Sequence, residues 1–197
     1  MRRIGSFIGA ALLMLALAVP AAAEYSPREN YMARMLEACC AGDYAAGSAA
    51  AAKRAEKIEA MGLSYPQVDF EELWLLAKII YAEAGSVWLP TDWKMSVGEV
   101  VLNRVASPEF PDTVREVLEQ PGQYYGKDNR YFDGLLPSMD CARAALRLLE
   151  GERVLGDASV VFQANFPQGG GVFRELQDQW LGSTYLCYSM RPELYGA

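Results

Sequence analysis

Between residues 69 and 85 the chain reads "DFEELWLLAKIIYAEAG", with apolar positions recurring at helical spacing. Leu76, Ile79, Ile80 and Glu83 fall on one stripe, because residues three, four and seven apart share a helix face. Asp69 is placed to cap this helix, with Glu72 in capping-box register and Val68 and Leu73 at staple spacing; Gly85 is its stop. The same periodicity predicts helices elsewhere. Ser26-Pro27-Arg28-Glu29 is a start signal, and Met32, Met35, Leu36, Cys39 and Cys40 follow it as a stripe. "AGDY" at 41–44 turns the chain into a second, Ala-rich helix that runs to about residue 61. Residues 24–62 thus read as a helical hairpin whose small residues fit either close packing or a semi-rigid stalk, with "GLSYPQ" at 62–67 as its joint. A helix over 91–105 carries Trp93, Val97, Val100, Val101 and Leu102. A short helix is capped by Thr113 and stopped by Pro121, and another spans 138–150.

The period then changes. "SVVFQANF" (159–166) and "STYLCYS" (183–189) are rich in β-branched and aromatic residues and read as a small antiparallel pair, separated by "PQGGG" and a mixed segment. Residues 120–137, "QPGQYYGKDNRYFDGLLP", form a long loop crowded with aromatics, and long loops inside compact domains are often functional. The fold class is mainly α with a small antiparallel β element, preceded by the hairpin.

Composition narrows the chemistry. The opening "MRRIGSFIGAALLMLALAVPAAAEYS" has a basic start, an apolar run and a small-residue site at Ala21-Ala22-Ala23, the pattern of a secretory signal cleaved after Ala23; an uncleaved N-terminal anchor is the other reading. The protein is expected to be exported and monomeric. The net charge is −7, and loss of Arg2 and Arg3 makes the chain more acidic, so nucleic acid and anionic membranes are poor partners. Removing 23 of the 197 residues leaves enough chain for one sizeable core. Of the four cysteines, Cys141 with Cys187 is the pair to test for a disulfide, against four small buried hydrophobes. There is no histidine. That excludes Ser-His-Asp and Cys-His catalysis and counts against zinc sites built on His. No Walker loop or G-x-G-x-x-G is present. Carboxylate acid–base chemistry is what remains for an enzyme, with no metal or cofactor expected.

Glu83 is the candidate that the helical stripe singles out. A carboxylate among apolar neighbours is poorly solvated when charged, which raises its pKa and suits a general acid in glycoside cleavage. A Glu in the last turn that bends out to solvent is the competing reading.

"YAEAG" (81–85), "VVLNRVASPEFPDTVREVLEQPGQY" (100–124) and "LGSTYLCYS" (181–189) resemble the SleB-like cell wall hydrolases, the spore-cortex-lytic enzyme family. The resemblance spans roughly residues 70–189. It implies a lysozyme-like, lytic-transglycosylase-like fold over 67–192, after a signal at 1–23 and the hairpin at 24–66, and cleavage of peptidoglycan glycan strands. It also implies that Glu83, in Tyr81-Ala82-Glu83-Ala84, is the general acid/base. The chain departs from the pattern twice. Thr184 stands where the family often has His, and Phe162-Gln163-Ala164 replaces a Phe-Asn-Pro segment, which bears on substrate contacts more than on the acid.

A hydrolase needs a second carboxylate; a lytic transglycosylase does not. Glu99 is the nearest on a predicted helix face, where an exposed helix residue is the favoured reading, and Asp133 and Asp140 are more remote. The single-Glu mechanism is therefore preferred. Candidate substrate contacts are Tyr81, Asn103, Gln120, Tyr124, Phe162, Gln163 and Asn165. Asn103 either reaches the site or caps a loop, and Arg104 reads as an ion-pair partner. The rings of Tyr124, Tyr125, Tyr131 and Phe132 either meet sugar faces or pin the loop to the core. Phe162, Gln163 and Asn165 would form the opposite wall of a cleft. A catalytically silent wall-binding or partner-binding module on the same fold is the alternative function.

Overall fold

The helical stripes converge on one buried cluster in the computed structural model, which describes residues 30–124 and 129–195. Helices α1 (Tyr31–Ala41) and α2 (Tyr44–Ala60) form the hairpin, and the Asp43 side chain caps α2 by accepting from the Ala46 N–H at 3.0 Å. Met35 and Cys39 on α1 are fully buried, while Met32, Leu36 and Cys40 pack partly buried beside them. α2 packs closely rather than standing off as a stalk. Gly47 lies against Phe70 of the next helix, where an added Cβ would come within 2.0 Å of the ring. The hairpin and the later helices share this cluster, and the described residues from Tyr31 onward form one unit. The leader at 1–23 and the Ser26 start signal lie outside the described residues.

Helix α3 (Phe70–Ala84) starts at Asp69, which accepts from the Glu72 N–H at 3.0 Å, with Val68 and Leu73 buried on either side of the cap. It ends at Gly85 in a right-handed conformation. The glycine is required there by crowding, since a Cβ would sit 2.2 Å from the Tyr81 carbonyl oxygen. Helix α4 (Thr91–Val105) is buried on nearly every side and packs against α3 and against α7 (Met139–Leu149). Helix α5 (Val114–Glu119) is capped by Thr113, whose hydroxyl accepts from the Glu116 N–H and donates to its carboxylate at 2.8 Å. The long loop contains one helical turn, α6 (Arg130–Asp133), capped by Asn129 and anchored by buried Phe132. Residues 125–128, including Tyr125, lie outside the described residues.

The sheet has three antiparallel strands, β1 (Val160–Ala164), β2 (Val172–Asp178) and β3 (Gly182–Tyr188), in the order β1-β3-β2. β1 and β3 are the expected pair, with Gln163 opposite Leu186 and Ala164 opposite Tyr185. β2 was not expected. It is an edge strand carrying Arg174, Glu175 and Asp178, so its sequence lacks the apolar signal of a half-buried strand. The protein is thus mainly α with a small antiparallel sheet. Cys141 and Cys187, the pair to test for a disulfide, form none, and all four cysteines are free. α7 turns Cys141 toward α1, where Cys39 and Cys40 are its charge neighbours, whereas Cys187 is buried in β3. No described helix is long and apolar enough to cross a membrane.

Candidate active site

α3 delivers Glu83 to the edge of a cleft of about 340 Å³ whose other walls come from α4 and the sheet. Trp93 and Val97 of α4, Gln163, Ala164 and Asn165 at the end of β1, and Thr184 of β3 line it with Glu83. Two of the predicted contacts, Gln163 and Asn165, therefore meet Glu83 as the facing wall. Both departures from the family pattern, Thr184 and Gln163-Ala164, also fall on this wall. Glu83 itself is solvent-exposed, so the expectation of a carboxylate set among apolar neighbours is not met. The core face of α3 continues through Ile80 to Ala84, which is 1 % exposed, and Glu83 lies off that face at the cleft.

Tyr124 stands behind the acid. Burial pushes its phenol up to about 12, against the pull of the Arg104 guanidinium, and the nearby Glu83 charge adds to the rise. The hydroxyl stays protonated at neutral pH and makes no hydrogen bond among the described residues. Arg104 was expected in an ion pair. Instead its guanidinium lies over the rings of Tyr124, Phe110 and Phe162 at 4.8, 5.0 and 5.6 Å, while Nε donates to the Val161 carbonyl at 2.6 Å. Arg104 is 3 % exposed and holds one strand, one loop and one helix together through a buried cation.

The other predicted contacts have local duties. The Asn103 amide donates to the Asp157 and Val160 carbonyls, both at 3.0 Å, which ties the start of β1 to α4. Tyr81 packs half-buried against the core and over Gly85. Phe162 meets Phe110 edge-on at 6.2 Å on the Arg104 side. Gln120 ends α5, with its Oε1 buried and unpaired among the described residues. Tyr81, Asn103, Gln120, Tyr124 and Phe162 are not lining residues of the cleft.

The candidate second acids also lie elsewhere. Glu99, expected to be exposed, is 1 % exposed. Its carboxylate accepts from the backbone N–H groups of Val154, Leu155 and Gly156 at 2.6, 3.0 and 3.2 Å. Those bonds commit both oxygens to the loop before β1. Asp133 is exposed on α6, where its backbone carbonyl accepts from Lys78, and Asp140 pairs with Arg143 at 3.9 Å. Among the described residues that line the cleft, Glu83 is the one carboxylate. No cluster of potential metal ligands occurs among the described residues.

Trp93, Val97 and Thr184 were missing from the predicted contacts. The two α4 residues carry the ordinary signature of a core helix, and only the cleft distinguishes them from it. Buried Lys94 was also unforeseen. Its Nζ donates to the Ser86 and Leu89 carbonyls at 2.9 and 2.8 Å and fixes the loop that leaves the Glu83 helix.

Comparison with known proteins bears on this arrangement. Residues 90–182 match the family described as Cell Wall Hydrolase. A spore cortex-lytic enzyme of Halalkalibacterium halodurans is 28% identical over 117 residues, which cover 59% of this chain and 34% of the relative. A spore cortex-lytic enzyme of Oceanobacillus iheyensis is 28% identical over 124 residues, covering 62% of this chain and 42% of the relative. The chain therefore spans well under half the length of these curated relatives. No solved structure matches it significantly. Trp93, Val97, Gln163, Ala164 and Asn165 lie inside the matched family segment, whereas Glu83 precedes it and Thr184 lies beyond it. The segment similar to the Cell Wall Hydrolase family is thus the one that supplies most of the cleft.

Proposed function

We propose that this protein cleaves the glycan strand of peptidoglycan outside the cytoplasm, in wall or spore-cortex remodelling, with Glu83 as general acid and then general base. The observation that carries this reading is the single carboxylate in the cleft, facing the amides of Gln163 and Asn165 and the hydroxyl of Thr184. Amide and hydroxyl groups suit the N-acetyl groups of such a strand, and Trp93 offers a ring edge to the sugar. The resemblance of "YAEAG" to the family's acid motif and the relatives' names support the same substrate class.

A glycan laid in the cleft would cover Glu83 and strip its water, which favours the protonated acid. Glu83 then donates its proton to the glycosidic oxygen as the C–O bond breaks. The resulting carboxylate takes the proton of the muramic acid 6-hydroxyl, whose oxygen closes on C1. The products are a free sugar hydroxyl and a 1,6-anhydro end, with no water consumed. Because that hydroxyl is on the same sugar, its attack has a large entropic advantage over free water. Hydrolysis would require another group to activate water, and Glu99, Asp133 and Asp140 do not line the cleft.

Mass spectrometry of muropeptides released from purified peptidoglycan tests this. Anhydro-muramic ends, lighter by one water, are expected. A majority of reducing ends that take up borohydride would refute the single-Glu route and leave the glycosidase standing. The exposure of Glu83 and the changed wall at Thr184 and Gln163-Ala164 favour a second reading, a wall-binding module without turnover. Binding to peptidoglycan with no released fragments would establish it.

A further inference from the structure

The loop after the Glu83 helix and the turn before β3 each present a tryptophan to solvent. Trp88 is 56 % exposed and Trp180 76 %. Both are held in place. Lys94 pins the Trp88 loop through the Ser86 and Leu89 carbonyls, and Leu89 is buried beneath it. The Asp178 carboxylate closes the β2–β3 turn by accepting from the Trp180 and Leu181 N–H groups, both at 2.9 Å. Those bonds hold this carboxyl below its usual range, and the Trp88 side chain reaches the same carboxylate. The two tryptophans thus belong to one patch, with Leu181 and Val87 also exposed.

The patch and the cleft are close along the chain on both sides. Thr184 lies four residues after Trp180, and Glu83 five residues before Trp88, so each tryptophan's backbone is at most about 18 Å from a cleft-lining residue. Exposed aromatic surface held rigid costs no further ordering on binding, and patches of this kind mark binding sites. Indole faces are apolar and flat, which matches the C–H faces of pyranose rings.

We propose that Trp88 and Trp180 form an outer sugar-binding subsite that holds the glycan strand beyond the Glu83 cleft. This rests on the glycan reading of the cleft. The four tryptophans allow the two to be tested separately. Trp93 reports on the cleft, Trp88 and Trp180 on the patch, and Trp74, stacked on Phe70 in the first turns of α3, serves as reference. Indole N–H signals of the isotope-labelled full chain, assigned with single Trp→Phe variants, are followed while a soluble tetrasaccharide of alternating N-acetylglucosamine and N-acetylmuramic acid is added. Glu83→Gln is used so that the ligand survives. Saturable shifts of Trp88 and Trp180, with Trp74 unmoved, and about five- to tenfold weaker binding in Trp180→Ala are expected. Static Trp88 and Trp180 signals overturn the subsite whatever Trp93 does. A static Trp93 beside moving Trp88 and Trp180 counts against the cleft reading and leaves sugar binding at the patch intact.

Discussion

At the residue scale, the proposed chemistry turns on one acid, Glu83, with a phenol near it that differs in exposure. Glu83 is exposed at the cleft edge, and half-buried Tyr124 lies near it with its hydroxyl buried as a neutral phenol. Glu83→Gln keeps the side chain's shape but cannot donate and reclaim a proton. It should lower turnover by about 10²–10⁴-fold with an unchanged melting temperature, checked by dye release from labelled peptidoglycan. Near-normal turnover would remove Glu83 from the mechanism. Tyr124→Phe deletes a donor close to the Glu83 carboxylate and leaves the Arg104 ring contact intact. Because the phenol titrates only at about 12, the activity ratio of this variant to the parent should stay constant across neutral pH. A ratio that changes between pH 5 and 8, roughly the range in which an ordinary histidine-like switch would act, would show that Tyr124 shifts Glu83's titration instead.

Among elements, α4 organises the site by what it ties down rather than by what it exposes. Lys94 holds the loop after α3, Glu99 holds the loop before β1, and Asn103 and Arg104 hold β1 itself. These polar side chains replace the contacts that a regular interface between a helix and a strand end cannot supply, since loop N–H and C=O groups buried there need partners. Glu99→Ala takes the acceptor from three backbone N–H donors, of which that of Leu155 is buried and those of Val154 and Gly156 partly so. At about 1–3 kcal/mol for each lost partner, a destabilisation of about 3 kcal/mol or more is expected in urea unfolding, with Glu99→Gln recovering part of it through its one remaining acceptor. A Glu99→Ala variant as stable as the parent would show that water serves that loop equally well.

For the whole molecule, the hairpin is structural ballast for α3. Tyr44 meets Phe70 and Trp74 with ring centres 5.7 and 5.4 Å apart, and Arg54 joins α2 to the Glu150 carboxylate at 2.9 Å and to the Pro66 carbonyl at 3.0 Å. Gly47→Val would drive a side chain into the Phe70 ring, at a cost of about 1–3 kcal/mol by overpacking. Calorimetry should show that loss, while glycan affinity of the folded fraction stays at the parent value. A large fall in affinity of the folded variant would mean that the hairpin takes part in binding the wall.

Much of this was legible along the chain because helix periods, caps and stops are local. Asp69, Thr113 and Ser138 cap the helices that their spacing predicts, and the β-branched runs become β1 and β3. The absence of histidine alone removed the common nucleophilic triads. What the chain could not reveal is where polar side chains spend their hydrogen bonds. Asn103 and Glu99 looked like candidates for chemistry, and long-range backbone partners claimed both. Thr184, Trp93 and Gln163 are far apart in sequence and become one wall only because β1, β3 and α4 meet beside the end of α3. The helical period aimed Glu83 at the core; the packing decided otherwise, because the core closes over Ala84 on the Leu76–Ile80 face while the flank that carries Glu83 meets the cleft.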